Sequence, residues 1–382
     1  SAKEWGFAFQ HSLSAGDEAM RLYEVTTAAG HYGTARSLLI ESKADVETAT
    51  CQHLYLQLGK ANELEFHYRQ ALTIYEEMQV QASTRDSREL ELASLVARCV
   101  LLPVHYDTQN INLARELAGR ALPLAQALGD VAAQQQIEFS LARTYKFGDK
   151  LIEPAIAHFR AAEELARKAG LREQLAWVKL ELGVAFTFLG QLEQAESILT
   201  EAMAIFRELD QHPRVLSCLH NLAIIQMESG NFDAALSLLD EAYRANEALG
   251  SPTSVYALAT TYNVIHILRG EYDRAFEALL PALELDEARI LSGLWIDIFQ
   301  QLAWCYYDLG AHELGLDYCQ KAISHHDQTS QTGRAPAFAM LALIEDVNGK
   351  LEKAKDLYLH ALSINNKVID YHLNLAEVYL SL

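Results

Sequence analysis

The sequence predicts an all-α solenoid of antiparallel helix pairs, about nine and a half units long, and three observations predict it. Glycines recur with a period near forty: Gly148, Gly190, Gly230, Gly270, Gly310 and Gly349 are spaced by 42, 40, 40, 40 and 39 residues. Self-similarity at such a period marks a repeat architecture. Apolar residues recur at i, i+3, i+4 and i+7 throughout, and the strict alternation of strands is absent. Small residues hold fixed offsets. From Gly190 onward each glycine is followed five positions on by Ala or Gly, and a second Ala comes seven residues after that, at Ala202, Ala242, Ala282, Ala322 and Ala361.

Each element of the unit has its own cause. The apolar stretch before each glycine is a first helix, which the glycine ends by adopting the left-handed conformation. The two small residues lie on one face of a second helix and let two backbones approach. The position between them is large (Leu199, Leu239, Leu279, Cys319, Tyr358) and fills the space left. A second turn falls between units at Asp210–Pro213, Gly250–Pro252 and Gly333–Pro336, where Pro opens the next helix. After Gly148 the matching Ala155 comes two residues late, which accounts for the spacing of 42. Toward the N-terminus, Gly59 with Ala71 and Gly30 with Ala35 fit the same template. The third unit has a longer turn around Pro103–Asp107 before Ala114 and Ala121. The segment Leu102–Asn112 is therefore expected to pack more weakly and to redirect the superhelix. The register describes a single superhelix over 1–382, with irregular repeats over 1–133, regular ones over 134–371 and a terminal half-repeat over 372–382. A plain helical bundle is the alternative architecture.

Composition excludes several functions. With 31 basic and 51 acidic side chains the formal net charge is −20. No stripe of Lys and Arg is present to neutralise phosphates, and this charge repels nucleic acid and anionic lipid alike. No run approaches the roughly 18 apolar residues that span a bilayer, and no basic segment precedes an apolar one at the start, as a signal peptide requires. The five cysteines are odd in number and lack a CxxC spacing, so a reducing cytosol is expected. The chain opens on Ser1-Ala2, which reads as a processed start or as a piece of something larger.

The residues resemble tetratricopeptide repeats (TPR). The matching features are the Leu-Gly or Leu-Ala pair (Leu182-Gly183, Leu222-Ala223, Leu302-Ala303), the aromatic three residues after it (Phe186, Tyr306, and Tyr145 in the unit before), the inter-helix Gly and the two Ala of the second helix. Units near forty are longer than the usual 34. They are similar to three groups: the sensor domain of MalT-like regulators, LGN/Pins-type adaptors and Rap-like peptide sensors. The resemblance implies a right-handed superhelix with a concave groove lined by the first helices.

Taking the groove offsets that the resemblance implies, the lining comprises Phe139, Arg143, Lys146 and Phe147; Trp177, Leu180 and Phe188; His220, Ile224 and Met227; Thr260, Val264, Ile267 and Leu268; and Gln300, Trp304, Tyr307 and Asp308. A contiguous apolar and aromatic strip marks an interaction site, whereas the bland reading makes the same side chains core between repeats. A carboxylate clamp needs converging Lys and Asn pairs, and Arg98, Arg143 and Lys146 have no Asn at matching positions. A peptide-backbone ladder needs Asn at one position of successive repeats, and Asn221 and Asn263 fall at different ones. An apolar groove taking an amphipathic helix fits best, with Trp177 and Trp304 as anchors.

Catalysis has no foothold in the sequence. No HExxH, Walker, GxSxG or GxGxxG motif occurs. His325-His326 are adjacent and cannot chelate together from a helix, and His266 falls on a packing position. The cysteines read as inert core thiols, and the acidic pairs Glu76-Glu77 and Glu163-Glu164 as solvated helix faces. No cofactor or metal is expected. The function expected is a non-catalytic protein- or peptide-binding scaffold. The alternative is the ligand-sensing part of a larger MalT-like regulator, whose groove holds a small ligand or an intramolecular segment.

Overall fold

The structure, a computed structural model, describes residues 2–42, 46–104, 108–149, 151–249, 252–280, 283, 292–324, 334–364 and 369–382. Gly250, Ser251, Ala282, Gly333, the His325-His326 pair and the segment 105–107 lie outside the described residues. The chain forms two compact units, Ser1–Ile205 and Phe206–Leu382.

The first unit runs α1 (Ala2–Arg21), α2 (Val25–Ser42), α3 (Thr48–Leu64), α4 (Tyr68–Arg85), α5 (Arg88–Leu101), α6 (Ile111–Leu128), α7 (Val131–Arg143), a π-helical turn (Thr144–Asp149), α8 (Ile152–Lys168), α9 (Arg172–Phe188) and most of α10 (Leu192–Glu208). The second continues with α11 (His212–Glu228), α12 (Phe232–Leu249), α13 (Pro252–Leu268), α14 (Tyr272–Leu279), α15 (Ser292–Asp308), α16 (His312–Ser324), α17 (Arg334–Val347), α18 (Leu351–Ile364) and α19 (Ile369–Ser381). There is no strand among the described residues, and nine helix pairs plus one helix match the nine and a half units expected.

The template survives at atomic detail. Gly190 has φ 68°, and Gly230, Gly270, Gly310 and Gly349 share the positive sign, so each ends a first helix as expected. Inside the pair, Gly183 on α9 lies against Leu199 on α10 so closely that a Cβ would sit 2.4 Å from the leucine side chain. Ala195, Leu199 and Ala202 are fully buried along the facing side of α10.

Three expectations need correction. Gly30 lies inside α2 and Gly59 inside α3, so neither is a turn. Their units turn instead at Tyr23 (φ 60°) and Phe66 (φ 63°), non-glycine residues in the left-handed region. Gly59 is the close-approach residue of its pair, with the Tyr75 ring 2.2 Å from where its Cβ would be. Gly16 holds the same place against Tyr32. Gly148 is also not a left-handed cap. It falls in the π-helical turn, where its missing side chain leaves room for Ile111. The third unit, finally, is not weakly packed. Ala114, Leu117, Ala118 and Ala121 of α6 are buried in one core with Leu95, Cys99 and Leu102. Its long turn is pinned by Asn110 N–H donating to the Leu102 carbonyl (3.1 Å) and by Gln109 donating to the Pro103 carbonyl (3.0 Å).

These placements make opposite predictions for the same substitution. Gly183→Ala forces a methyl into Leu199 and should cost about 1–3 kcal/mol of overpacking. Gly30→Ala meets open space on an exposed helical position. It should stabilise by about 0.5–1 kcal/mol because Gly is the poorer helix former. Urea melts of the two variants against the parent chain give the signs directly.

Candidate functional site

Within each unit the first helices touch one another from pair to pair: α1 to α3, α3 to α5 and α5 to α7 in the first, and α11 to α13, α13 to α15, α15 to α17 and α17 to α19 in the second. The second helices do not approach one another this closely, so the first-helix side is the inner face of each unit. The expected lining residues lie on these first helices and on the π-helical turn, and burial sorts them.

In the first unit α7 and the turn after it carry an aromatic-cationic cluster. Phe139 packs against Phe159 of α8 with ring centroids 5.6 Å apart. The Arg143 guanidinium lies 5.5 Å from the Phe139 ring and 5.8 Å from the Phe147 ring. Its Nε is buried with no hydrogen-bond partner. Among the described residues the guanidinium makes no hydrogen bond and no ion pair. Burial lowers the Arg143 pKa, and the acidic groups that act against this are Glu181 of α9 and Glu63 of α3. Lys146 is different: its Nζ lies 2.6 Å from Glu181 Oε2 and is largely covered. Phe147 is 38% and Phe188 69% exposed, and Trp177 is half-buried. Leu180 is buried and belongs to the core, not to the lining.

In the second unit His220, Ile224 and Met227 of α11 are half-buried. His220 Nε2 lies 2.8 Å from Thr261 Oγ1 of α13, and burial lowers the histidine pKa. Gln301 of α15 donates through Nε2 to the Thr260 carbonyl at 3.1 Å, while its Oε1 is buried without a partner. Trp304 is half-buried against the Ile267, Ile298 and Cys305 core. Ile267 itself is sealed, which removes it from the lining. Tyr307 stacks on His312 with centroids 5.8 Å apart and is partly covered by Leu341 and Ile344. Thr260, Val264 and Gln300 are half-buried, Leu268 and Asp308 exposed. Asn221 spends its amide on the Ser217 carbonyl of its own helix and Asn263 is buried, so no asparagine ladder forms from them.

The inner face of the first unit also holds a cavity of about 490 Å³ that the sequence reading missed. Leu56 of α3, Leu92 and Val96 of α5 and Leu128 of α6 supply apolar walls, and Gln136 of α7 lines it too. Gln52, Glu89 and Asp130 line it as well. Ala93, Ala97, Ala132 and Ala133 leave the room, and this run of small residues on two neighbouring first helices is the signal that would have found it.

Glu76 and Glu164 are exposed as expected, but Glu163 is not. Glu163 is 5% exposed, not solvated. It accepts from Arg160 (2.9 Å) and Arg167 (2.9 Å), and Lys179 of α9 lies 3.1 Å away while also reaching Glu201 at 2.7 Å. Burial pushes the Glu163 carboxyl up, but the bonds from Arg160 and Lys179 outweigh it and hold the group below its ordinary value. Glu77 pairs with Arg36 across α4 and α2. His266 is buried as expected, with Nδ1 2.7 Å from Glu271 Oε2. All five cysteines are buried, and burial pushes Cys99, Cys218, Cys305 and Cys319 up to about 12.

Residues 174–248 match the sequence profile of the Tetratricopeptide repeat. The repeats within that stretch are tetratricopeptide repeats. Among curated proteins, Regulatory protein RapG of Bacillus subtilis (strain 168) is 32% identical over 104 residues. That stretch is 27% of this chain and spans only 28% of the length of RapG. Among solved structures, a Rap protein complexed with Competence and Sporulation Factor is similar with a TM-score of 0.65 at 14% identity, over 95% of this chain and 99% of that one. NprR in complex with its cognate peptide NprX is similar with a TM-score of 0.60 at 17% identity, over 88% of this chain and 94% of that one. At these identities the two likenesses show the TPR fold alone. No helix among the described residues is long and apolar enough to cross a membrane.

The Glu163 network makes a pH prediction. A carboxyl held below its ordinary value stabilises the fold above that value, and the contribution is lost as pH falls through the folded-state pKa. Glu163→Gln should therefore cost about 1–3 kcal/mol at pH 7, the range for leaving buried partners unpaired. The gap to the parent chain should close as both are titrated below about pH 4, which thermal melts between pH 3 and 7 would follow.

Proposed function

We propose that this chain is a non-catalytic, peptide-binding TPR regulator of the cytoplasm, with the inner faces of its first helices as the binding surface. One observation carries the reading: the first helices and the turn after α7 carry aromatic side chains that the fold leaves open, Phe147 and Phe188 in the first unit and the half-buried Trp304 and Tyr307 in the second, together with buried polar atoms of Arg143 and Gln301 that have no internal partner. Apolar area beside unsatisfied donors and acceptors suits a ligand that brings both, as an extended peptide or a short helix does. The repeat profile, the partial likeness to RapG and the fold shared with peptide complexes of Rap and NprR support it. The raised thiols support binding without chemistry, since a thiol far above neutral pH is no nucleophile.

The test is affinity selection from a pool of random synthetic octapeptides, followed by calorimetry with the best of them. Binding of individual peptides that saturates at one per chain is expected. Phe188→Ala, which removes an exposed ring, should weaken that binding by about 2 kcal/mol with little change in melting temperature if it is a hot spot. Trp304→Ala should lower the melting temperature, because its ring packs against the core of the second unit. A chain that retains no peptide, or a Phe188→Ala chain that binds as well as the parent, would overturn the proposal.

A further inference from the structure

Among the described residues, the Arg143 guanidinium on α7 has no hydrogen-bonded or ion-paired counter-ion. Lys146 beside it is neutralised by Glu181 at 2.6 Å. Arg143 has its Nε buried and unbonded, and its charge rests on the faces of Phe139 and Phe147. Cation–π contacts of this kind recover about 0.5–2 kcal/mol, less than the several kcal/mol that an ion loses on burial. A planar guanidinium with its donors unspent is built to take a carboxylate through two parallel bonds, and in a desolvated setting that pairing is strong.

A second, independent feature lies on the same face. The cavity between α3, α5 and α7, lined by apolar and polar side chains alike, includes Gln136, which precedes Arg143 by seven residues, two turns along one face of α7. At 1.5 Å per residue the two positions are about 10.5 Å apart along the helix. An extended peptide covers roughly 3.3–3.6 Å per residue, so the distance corresponds to about three residues. Leu56, Leu92, Val96 and Leu128 around the cavity suit an aliphatic or aromatic side chain.

We infer that the inner face of the first unit binds a short extended peptide by two anchors, a carboxylate on Arg143 between Phe139 and Phe147 and an apolar side chain, about three residues away, in the cavity between α3, α5 and α7. The inference rests on the peptide-binding reading above and names the chemistry of its ligand. The net charge of −20 does not oppose it at contact, because exposed charges more than about 8–10 Å away are screened at physiological salt. The carboxylate comes from a side chain or from the peptide's C-terminus, and the experiment separates these sources.

Affinity selection with two random hexapeptide pools, one amidated and one with a free C-terminal acid, tests it. Enrichment of Asp or Glu about three positions from Leu, Ile, Val or Phe in the amidated pool assigns the carboxylate to a side chain. The same spacing to the C-terminus, seen in the free-acid pool alone, assigns it to the terminus. A selected peptide should bind at least tenfold more weakly when its carboxylate is made an amide. Arg143→Gln should lose the same factor, and combining the two changes should lose little more. A merely structural role for Arg143 would weaken acidic and amide peptides alike. The peptide change needs no protein variant, so the comparison stands even where Arg143→Gln folds poorly. Peptides retained without acid enrichment, or with an acid preference unchanged in Arg143→Gln, would overturn this inference and leave the peptide-binding reading standing. Retention of no peptide from either pool would overturn both.

Discussion

Everything in this molecule depends on how closely the two helices of a pair can approach. At one position of the first helix the side chain must be small enough for a large residue of the second helix to sit on its backbone. Opposite Tyr32 and Tyr75 the position is glycine: Gly16 and Gly59. Leu199 likewise meets Gly183. Each such contact seals a large side chain that is worth roughly 1.5–3 kcal/mol when buried, and it fixes the spacing of the pair. In the eighth unit the opposing residue shrinks to Cys319, and there the second helix supplies the small residue itself, Gly315, whose missing Cβ leaves room for Ile344 of α17. Each contact is thus close-packed by a different combination of residues, as protein interiors require.

Pairs built this way couple to their neighbours through a small set of polar bonds with nearly the same sequence separation. Ser140 of α7 donates to the Cys99 carbonyl of α5, His220 meets Thr261, and Gln301 reaches the Thr260 carbonyl, each across 41 residues. Arg36 and Glu77 do the same for two second helices, again 41 apart. These bonds join corresponding places in adjacent repeats, so they repeat for the same geometric reason that the hydrophobic contacts do. In each unit a repeat is held chiefly by its neighbours, as in other solenoids. The first helices, being closest, spend part of their polar capacity on one another, and what remains unspent faces the groove.

The period of the fold was legible because glycine is cheap in the left-handed region, which makes it a visible punctuation mark. It became illegible where other residues take that conformation. Tyr23 and Phe66 stand where later units have Gly190 and Gly230, so Gly30 and Gly59 were drawn into a role that belongs to their neighbours. The helices that carry the aromatic rings were legible as well: Phe188 lies on α9 and Trp304 on α15, the one exposed and the other half-buried. Leu180 and Ile267 were not separable from them, because helical spacing places a residue on a face without saying whether an adjacent helix covers it. Glu163 was misjudged for a related reason. Its partners Arg160 and Arg167 are local and visible, but burial comes from the packing of α9, which brings Lys179 over it. A cavity is harder still, since it is made by what Ala93, Ala97, Ala132 and Ala133 do not fill.

The aromatic-cationic cluster shows why a departure from the period carries more information than the period itself. The two extra residues of the fourth unit are absorbed by the π-helical turn Thr144–Asp149, a distortion that recurs at functional sites. This turn is clasped from α6: Arg115 donates to Thr144 Oγ1 at 3.1 Å and covers the Tyr145 ring at 4.5 Å, and Ile111 fills the space beside Gly148. The clasp leaves the other side of the turn to Lys146 and Phe147. Phe147 meets Arg143 across it, and Lys146 takes Glu181, the acid that would otherwise serve Arg143. An uninterrupted α-helix would hold residues 143 and 147 at the i, i+4 separation of a simple surface pair. With the turn tied to α6, the guanidinium lies 5.5 Å from the Phe139 ring and 5.8 Å from the Phe147 ring with its Nε unbonded. The same insertion that blurs the repeat therefore supplies a place on this face where a buried polar group is left without an internal partner.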